Sequence, residues 1–271
     1  MAKSQLLGGK ELSLPHMLSA AISFHQKGKL AEAERLCLEI LKIKPGHSDA
    51  QHMLGILRYQ QGRNTEALEL IAAALLTNPH AAGALLNFGN VLKALQRHEE
   101  ALASYDKALA IRPDYADALN NRGVVLRELK RHEEALASYD KALAIRPDHA
   151  DALNNRGIVL TELGHFNEAR VFVEEAIKLA PRNANYYFSL IQLKQFSAND
   201  PHLAAMEELA RDMASLSEED QIKLHFAMSK AIAGLEQHER SFHHLLQGNA
   251  LNRQQITYDE TETLSVCPKS S

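Results

Sequence analysis

The sequence predicts an all-α fold, a right-handed α-α superhelix of stacked helical hairpins closed by C-terminal capping helices. Three observations lead there. The run RHEEALASYDKALAIRPD, Arg97 to Asp114, returns unchanged from Arg131 to Asp148, 34 residues on. Prolines keep the same period at Pro45, Pro79, Pro113, Pro147 and Pro181. Small residues keep it twice more, at Ala33, Ala67, Ala101, Ala135 and Ala169, and at Ala21, Gly55, Gly89, Gly123 and Gly157. A period of this length marks an array of helical units, none of which can bury its apolar face alone.

Residues 1–13 form an N-terminal segment ahead of five units, 14–47, 48–81, 82–115, 116–149 and 150–183. Each unit is helical twice over. Leu119, Gly123 and Leu126 lie three or four apart, and Ala135, Tyr139 and Ala142 repeat that spacing after a polar turn. In the first, second and fifth units the turn holds Gly28, Gly62 and Gly164. The second helix stops where Pro cannot continue it. Small residues on the facing sides let the two helix axes approach closely.

Beyond Pro181, residues 184–216 read as capping helices. Ala184 to Phe196 carries Tyr187, Leu190, Ile191 and Leu193 as a lid for the fifth unit. Asp200 then caps a helix that opens with Pro201, and Ser217 to Asp220 reads as a capping box. Residues 217–256 form a degenerate sixth pair. Met228, Ser229 and Ile232 are expected to pack from its first helix, and Ser241, Leu245 and Gly248 from its second. Residues 257–271 lose periodicity and are expected to be disordered.

The 34-residue pattern resembles the tetratricopeptide repeat across residues 14–183. The large aromatic that often opens that family's first helix is replaced by Met17, Gln51, Leu85, Leu119 and Leu153. A second resemblance covers KLHFAMSKAIAGLEQHERSFHHLLQGNALNRQQITYDE, Lys223 to Glu260. It is similar to the connector of bacterial proteins that join such repeats to a sulfotransferase, with an Asn-Ala-x-x-Arg motif at Asn249 to Arg253 and a Tyr-Asp pair at Tyr258-Asp259. That family's catalytic part opens with a strand and a Pro-Arg-Ser-Gly-Thr-Thr-like loop around the donor phosphate. Nothing up to Ser271 corresponds to it, so no catalytic residue carries over, and the expectation is a shortened relative, a frameshifted gene or a chain cut at the domain boundary.

Composition narrows the partners. The formal net charge is −4, which gives no excess of positive charge for a phosphate backbone, so nucleic acid is not expected. The longest apolar stretch, around Leu70 to Leu76, is too short to cross a bilayer. The N-terminus lacks the pattern of a secretory signal, which makes the cytoplasm the default compartment. Cys37 falls on an apolar helix face and Cys267 in the tail, neither in a metal-type spacing. His98 and His132 recur at the turns, and His238, His243 and His244 share one helix; all read as structural or surface residues. Glu99-Glu100 and Glu133-Glu134 suit the positive end of a helix dipole. With no GxxxxGK[ST] and no strand-bounded GxGxxG, the chain is read as a non-enzyme without cofactor or metal.

The resemblance to the tetratricopeptide family implies that the first helix of each unit lines a concave wall. The candidate binding residues there are Asn87 and Asn90, then Asp117, Asn120, Asn121 and Arg127, then Asp151, Asn154, Asn155 and Thr161. Asn87, Asn121 and Asn155 share one register, while Ser19 and Met53 take that place in the first two units. An amide both donates and accepts, so such a row can pair with the backbone of an extended peptide. It resembles the asparagine ladder of the O-linked N-acetylglucosaminyl transferase repeats. The alternative is that these amides are merely solvated, or tie neighbouring helices together. A clamp for a C-terminal carboxylate is disfavoured, because Asp117 and Asp151 oppose Asn90 and Lys93. Arg122 and Arg156 stand where Leu54 and Phe88 are apolar; either their stems pack, or Arg122 reaches Asp106 or Tyr105 of the preceding unit. The expected partner is a protein or peptide of unknown identity.

Overall fold

The computed structural model describes residues 13–255, and there the chain is helical, with fourteen α-helices and no strand. It divides into two compact units, 1–147 and 148–271. Residues 1–12 and 256–271 lie outside the described residues, and with them most of the N-terminal segment, the expected disordered tail, Tyr258, Asp259 and Cys267.

The first unit consists of four consecutive hairpins. They are α1 (Leu14–Gln26) with α2 (Leu30–Ile43), α3 (Ser48–Gln60) with α4 (Asn64–Thr77), α5 (Ala82–Ala94) with α6 (His98–Ile111), and α7 (Ala116–Glu128) with α8 (His132–Ile145). Every first helix has 13 residues and every second helix 14. The turn inside each hairpin needs one residue at positive φ. Gly28 and Gly62 supply it in the first two hairpins, but Gln96 and Lys130 adopt it in the next two, at φ 59° and 60°. An L-residue there costs about 1 kcal/mol. Paired backbone bonds offset that cost: Gln96 N–H donates to Lys93 O and Arg97 N–H to Leu92 O, both at 2.9 Å, which closes the helix end. Lys130 and Arg131 make the same two bonds, to Arg127 O and Leu126 O.

Hairpins close on a small residue facing a large one. A Cβ at Gly55 would lie 2.5 Å from Ile71 Cγ1, one at Gly89 2.4 Å from Tyr105 Cε1, and one at Gly123 2.6 Å from Tyr139 Cε1. Where the first hairpin has Ala21, the register partner shrinks to Cys37, and both are fully buried in one cluster. Burial pushes the Cys37 thiol up to about 11, so it stays protonated and serves as packing. One position breaks the apolar column. Arg58 stands where the next two hairpins have Leu92 and Leu126, and it is buried. Its guanidinium meets Glu34 at 2.8 Å and Glu66 at 3.5 Å. The hydrogen bond from Gln61 and the Arg58 charge hold the Glu34 carboxyl below its usual range, against the effect of burial.

The second unit opens with α9 (Ala150–Glu162) and α10 (Phe166–Leu179), where a Cβ at Gly157 would lie 2.7 Å from Val173 Cγ2. It continues with α11 (Ala184–Leu190), α12 (Pro201–Arg211), a 3-10 turn at Met213–Ser215, α13 (Glu218–Ala233) and α14 (His238–Gln255). Two sequence expectations are corrected here. The lid helix ends at Leu190 rather than continuing to Phe196. Leaving the helix lets Lys194 reach Asp200 at 2.6 Å while Phe196 still becomes buried. Leu245 is 38% exposed, whereas Ser241, His244 and Gly248 follow the three-then-four spacing on the inner face of α14. The caps are as the sequence suggests: Asp200 accepts from His202 N–H at 2.9 Å and Ser217 Oγ from Asp220 N–H at 3.1 Å.

His225 and His244 meet Nδ1 to Nδ1 at 3.0 Å, so one ring donates and the other accepts. Burial, helped by His225, His243 and Arg240 and opposed by Glu207, pulls His244 down to about 4; burial and the His243 charge lower His225 too.

Two tests follow from this packing. Gly55→Ala should cost about 1–3 kcal/mol in urea unfolding. Gly55→Ala with Ile71→Cys, which copies the Ala21 and Cys37 pairing, should cost less than the two single changes added together; simple additivity would contradict the close-approach account. The second test concerns pH. Both rings are neutral in the folded chain, so the unfolded chain takes up protons first. The stability they contribute is complete above about 6.5, the ordinary histidine value, and is lost as the pH falls towards about 4. The stability difference between the natural chain and His244→Phe should therefore shift against the natural chain on going from pH 7 to pH 5, on the order of 1 kcal/mol after solvent screening. A pH-independent difference would refute the pairing.

Candidate functional site

In the first unit, the amides named from the sequence form a row of two hydrogen-bonded groups, one at Asn87 and one at Asn90. Asn87 on α5 places Nδ2 2.9 Å from Nε2 of His52 on α3. Burial holds the His52 imidazole below its usual pKa, against the pull of Asp49, so its Nε2 can accept from the amide. Asn90, one turn on, accepts at Oδ1 from the Tyr105 hydroxyl of α6 at 2.9 Å and from Asn121 Nδ2 of α7 at 2.8 Å. Asn120 Nδ2 donates to Asn121 Oδ1 at 3.1 Å. The row thus runs from α3 through α5 to α7, fixed at Asn90 by a core tyrosine. Among the described residues Asn87 Oδ1 and Asn90 Nδ2 have no hydrogen-bond partner, and both residues are half-buried.

The other named residues of α7 diverge. Asp117 forms an ion pair with Arg146 at the end of α8. Arg127 is half-buried, six positions past Asn121. Asn120 is only 7% exposed and so does not belong to an open stripe: Ala116, Asn120 and Gly123 follow one another on the buried side of α7. Arg122, the apolar-register exception, bridges two helices. Its Nε donates to Asp106 of α6 and its Nη1 to Ser138 Oγ of α8, both at 2.8 Å.

In the second unit, Asn154 repeats the behaviour of Asn120. It is 1% exposed, and its Oδ1 has no hydrogen-bond partner. Asp151 accepts from the Tyr186 hydroxyl at 2.6 Å; burial and that carboxylate push the Tyr186 pKa up. Thr161 Oγ1 donates to Gly157 O at 2.8 Å, on its own helix. Asn155 is half-buried. Arg156 lies 4.0 Å over the Phe172 ring and 3.1 Å from Glu168.

Sequence reasoning missed His52 and Tyr105 as members of the row. Register alone could not have paired them, for 35 residues separate His52 from Asn87 and 31 separate Asn90 from Asn121, each off the repeat period. No group of three or more potential metal ligands occurs among the described residues, and no helix there is long and apolar enough to cross a membrane.

Tetratricopeptide-repeat family models match residues 24–87, 80–145 and 114–182, together more than half of the chain. No curated protein sequence matches. Among solved structures, the chain is similar to Pseudomonas aeruginosa pilF at 22% identity, covering 77% of this chain and 95% of that one, with a TM-score of 0.64. It is similar to a tetratricopeptide repeat protein of Parabacteroides merdae at 19% identity, covering 93% and 96%, with a TM-score of 0.62. YrrB, described as a TPR protein with an unusual peptide-binding site, is 20% identical over 62% of this chain and 87% of that one, with a TM-score of 0.51. At such identities the likeness concerns the fold alone.

Proposed function

Since the chain belongs to the tetratricopeptide-repeat family, we propose that it is a non-catalytic scaffold that holds an extended segment of a protein partner on the face carried by α5 and α7. The observation that supports this is the unused capacity of the amide row. Asn87 Oδ1 and Asn90 Nδ2 offer an acceptor and a donor one turn apart, each held in place by bonds at its other atom. Groups fixed in advance lose little conformational freedom on binding, and alternating donors and acceptors suit a peptide backbone whatever its side chains. Arg127 adds a cation on α7. The peptide-binding site in the description of YrrB is in keeping with this use of the fold.

A second reading rests on the resemblance of Lys223 to Glu260 to the sulfotransferase connector. In it, the chain is the substrate-recruiting N-terminal part of a sulfotransferase whose catalytic domain is missing from this chain. Asn249 to Arg253 then lie on the last turns of α14, whose exposed Phe242, Leu245 and Leu246 offer an apolar stripe for a following domain.

A peptide selected from a displayed random library against the natural chain should bind Asn87→Ala/Arg127→Ala about tenfold more weakly, with helical circular dichroism unchanged. Unaltered affinity would remove α5 and α7 as the site. Calorimetric titration with the phosphosulfate donor should give no heat with this chain under either reading, and tight binding would overturn the non-catalytic assignment.

A further inference from the structure

A second surface of the first unit lies away from the amide row. Leu85, Phe88 and Leu92 follow one another on α5, on a different side from Asn87 and Asn90, and form the floor of a groove between α4 and α6. Its volume is about 850 Å³, and its walls are mainly apolar. Leu75 and Leu76 line it from α4 and Ile111 from α6. Leu76 is 88% exposed and Ile111 41%, so two large aliphatic side chains stand in water at its edge. Contiguous exposure of this kind marks an interaction site.

The next hairpin shows how the same groove is narrowed. One repeat on, the corresponding cleft between α6 and α8 is about 420 Å³. There Arg122 replaces Phe88 and Asp106 replaces Ala72, and the guanidinium spans from Asp106 to Ser138. In the α4–α6 groove neither member of that strap exists, and the floor is an aromatic ring. The opening is therefore built by particular substitutions in a repeat whose neighbour lacks them.

Charge at the rim narrows the occupant. Glu100 is the groove's one carboxylate, and Arg97 holds it through two bonds of 2.7 Å. Lys107, two turns along α6 from Glu100, and His80 after α4 have neither an ion pair nor a hydrogen bond among the described residues. The groove thus pairs an apolar floor with an uncompensated cation. Its α6 wall runs from Glu100 to Ile111, about 16.5 Å at 1.5 Å per residue, which matches three turns of a helix. We propose that the α4–α6 groove docks an acidic amphipathic helix of a partner protein, with apolar side chains over Phe88 and Leu76 and carboxylates facing Lys107. The exposed stripe of α14 on a second copy is a poorer occupant, because Arg240 and Arg253 accompany a single acid, Glu239, on that helix.

The test uses the full chain and two labelled amphipathic peptides with identical Leu and Phe positions at helical spacing, one bearing Glu and the other Lys at the remaining positions. The Glu peptide should bind at least about tenfold more tightly than the Lys peptide, with a preference that shrinks in high salt. Leu76→Lys, at a site too exposed to disturb folding, should abolish the binding. Ala72→Asp/Phe88→Arg, which copies the strap of the next repeat, should do the same, and Lys107→Glu should reverse the charge preference. Equal binding of the two peptides, or binding indifferent to Leu76→Lys, would overturn the proposal. So would sedimentation that finds a dimer dissolved by Leu76→Lys, since the occupant would then be a second copy.

Discussion

The contact on which the hairpins depend is a backbone without a side chain pressed against a large one. At Gly89 and Gly123 the room normally taken by a Cβ is filled by the ring of Tyr105 or Tyr139. Helix axes can come only as close as their bulkiest facing residues allow, so one glycine per hairpin sets the spacing of the pair. The first hairpin meets the same constraint with Ala21 and a smaller partner, Cys37. The last meets it in reverse. There the glycine is Gly248 on the second helix, and the bulk is His225 and Phe226 on the first, each 3.2 Å from a built Cβ. What recurs in these hairpins is a small residue that admits the opposite side chain, whichever helix carries it and whatever fills the space.

That packing reaches the candidate site. Tyr105 enters the core because Gly89 admits its ring, and its hydroxyl then needs a partner. Asn90 provides the acceptor, and the same oxygen takes Asn121 from the next hairpin. An amide oxygen occupied twice cannot turn, so the Asn90 NH₂ group is fixed in direction by a residue on the far side of its own hairpin. The polar row is thereby an extension of the core, and its members act both as ties between helices and as presented donors and acceptors. The two uses set against each other in the sequence are compatible, because an amide has two ends.

Helix limits were legible in the sequence because local rules govern them: a proline after each second helix, a glycine in three of the turns, a cap at Asp200 and Ser217. Partners of the polar side chains were not. Asn120 and Asn154 have the polarity of a surface stripe, yet the helix turns them inward beside Gly123 and Gly157, where only the tertiary packing decides their exposure. Arg58 is a similar case, an ion inserted into a leucine column and tolerated because Glu34 and Gln61 receive it. The short α11 escaped for another reason. Its apolar spacing continues past Leu190, and a tertiary ion pair between Lys194 and Asp200 outweighs that local preference.

The duplicated run makes a final distinction possible. Its two copies behave alike within themselves, for Arg97 grips Glu100 as Arg131 grips Glu134, at 2.7 and 2.8 Å or less. Their surroundings differ because the residues outside the run differ. Phe88 under one copy leaves a wide groove, and Arg122 under the other narrows it to a cleft of about half the volume. Asn90 meets Tyr105 of the first copy, while Val124 holds that register beside Tyr139 of the second. Identity in the repeat therefore carries the stacking geometry, which every unit must satisfy in the same way. A contact that singles out one unit would have to come from positions where the period fails, since only there does one unit differ from its neighbours.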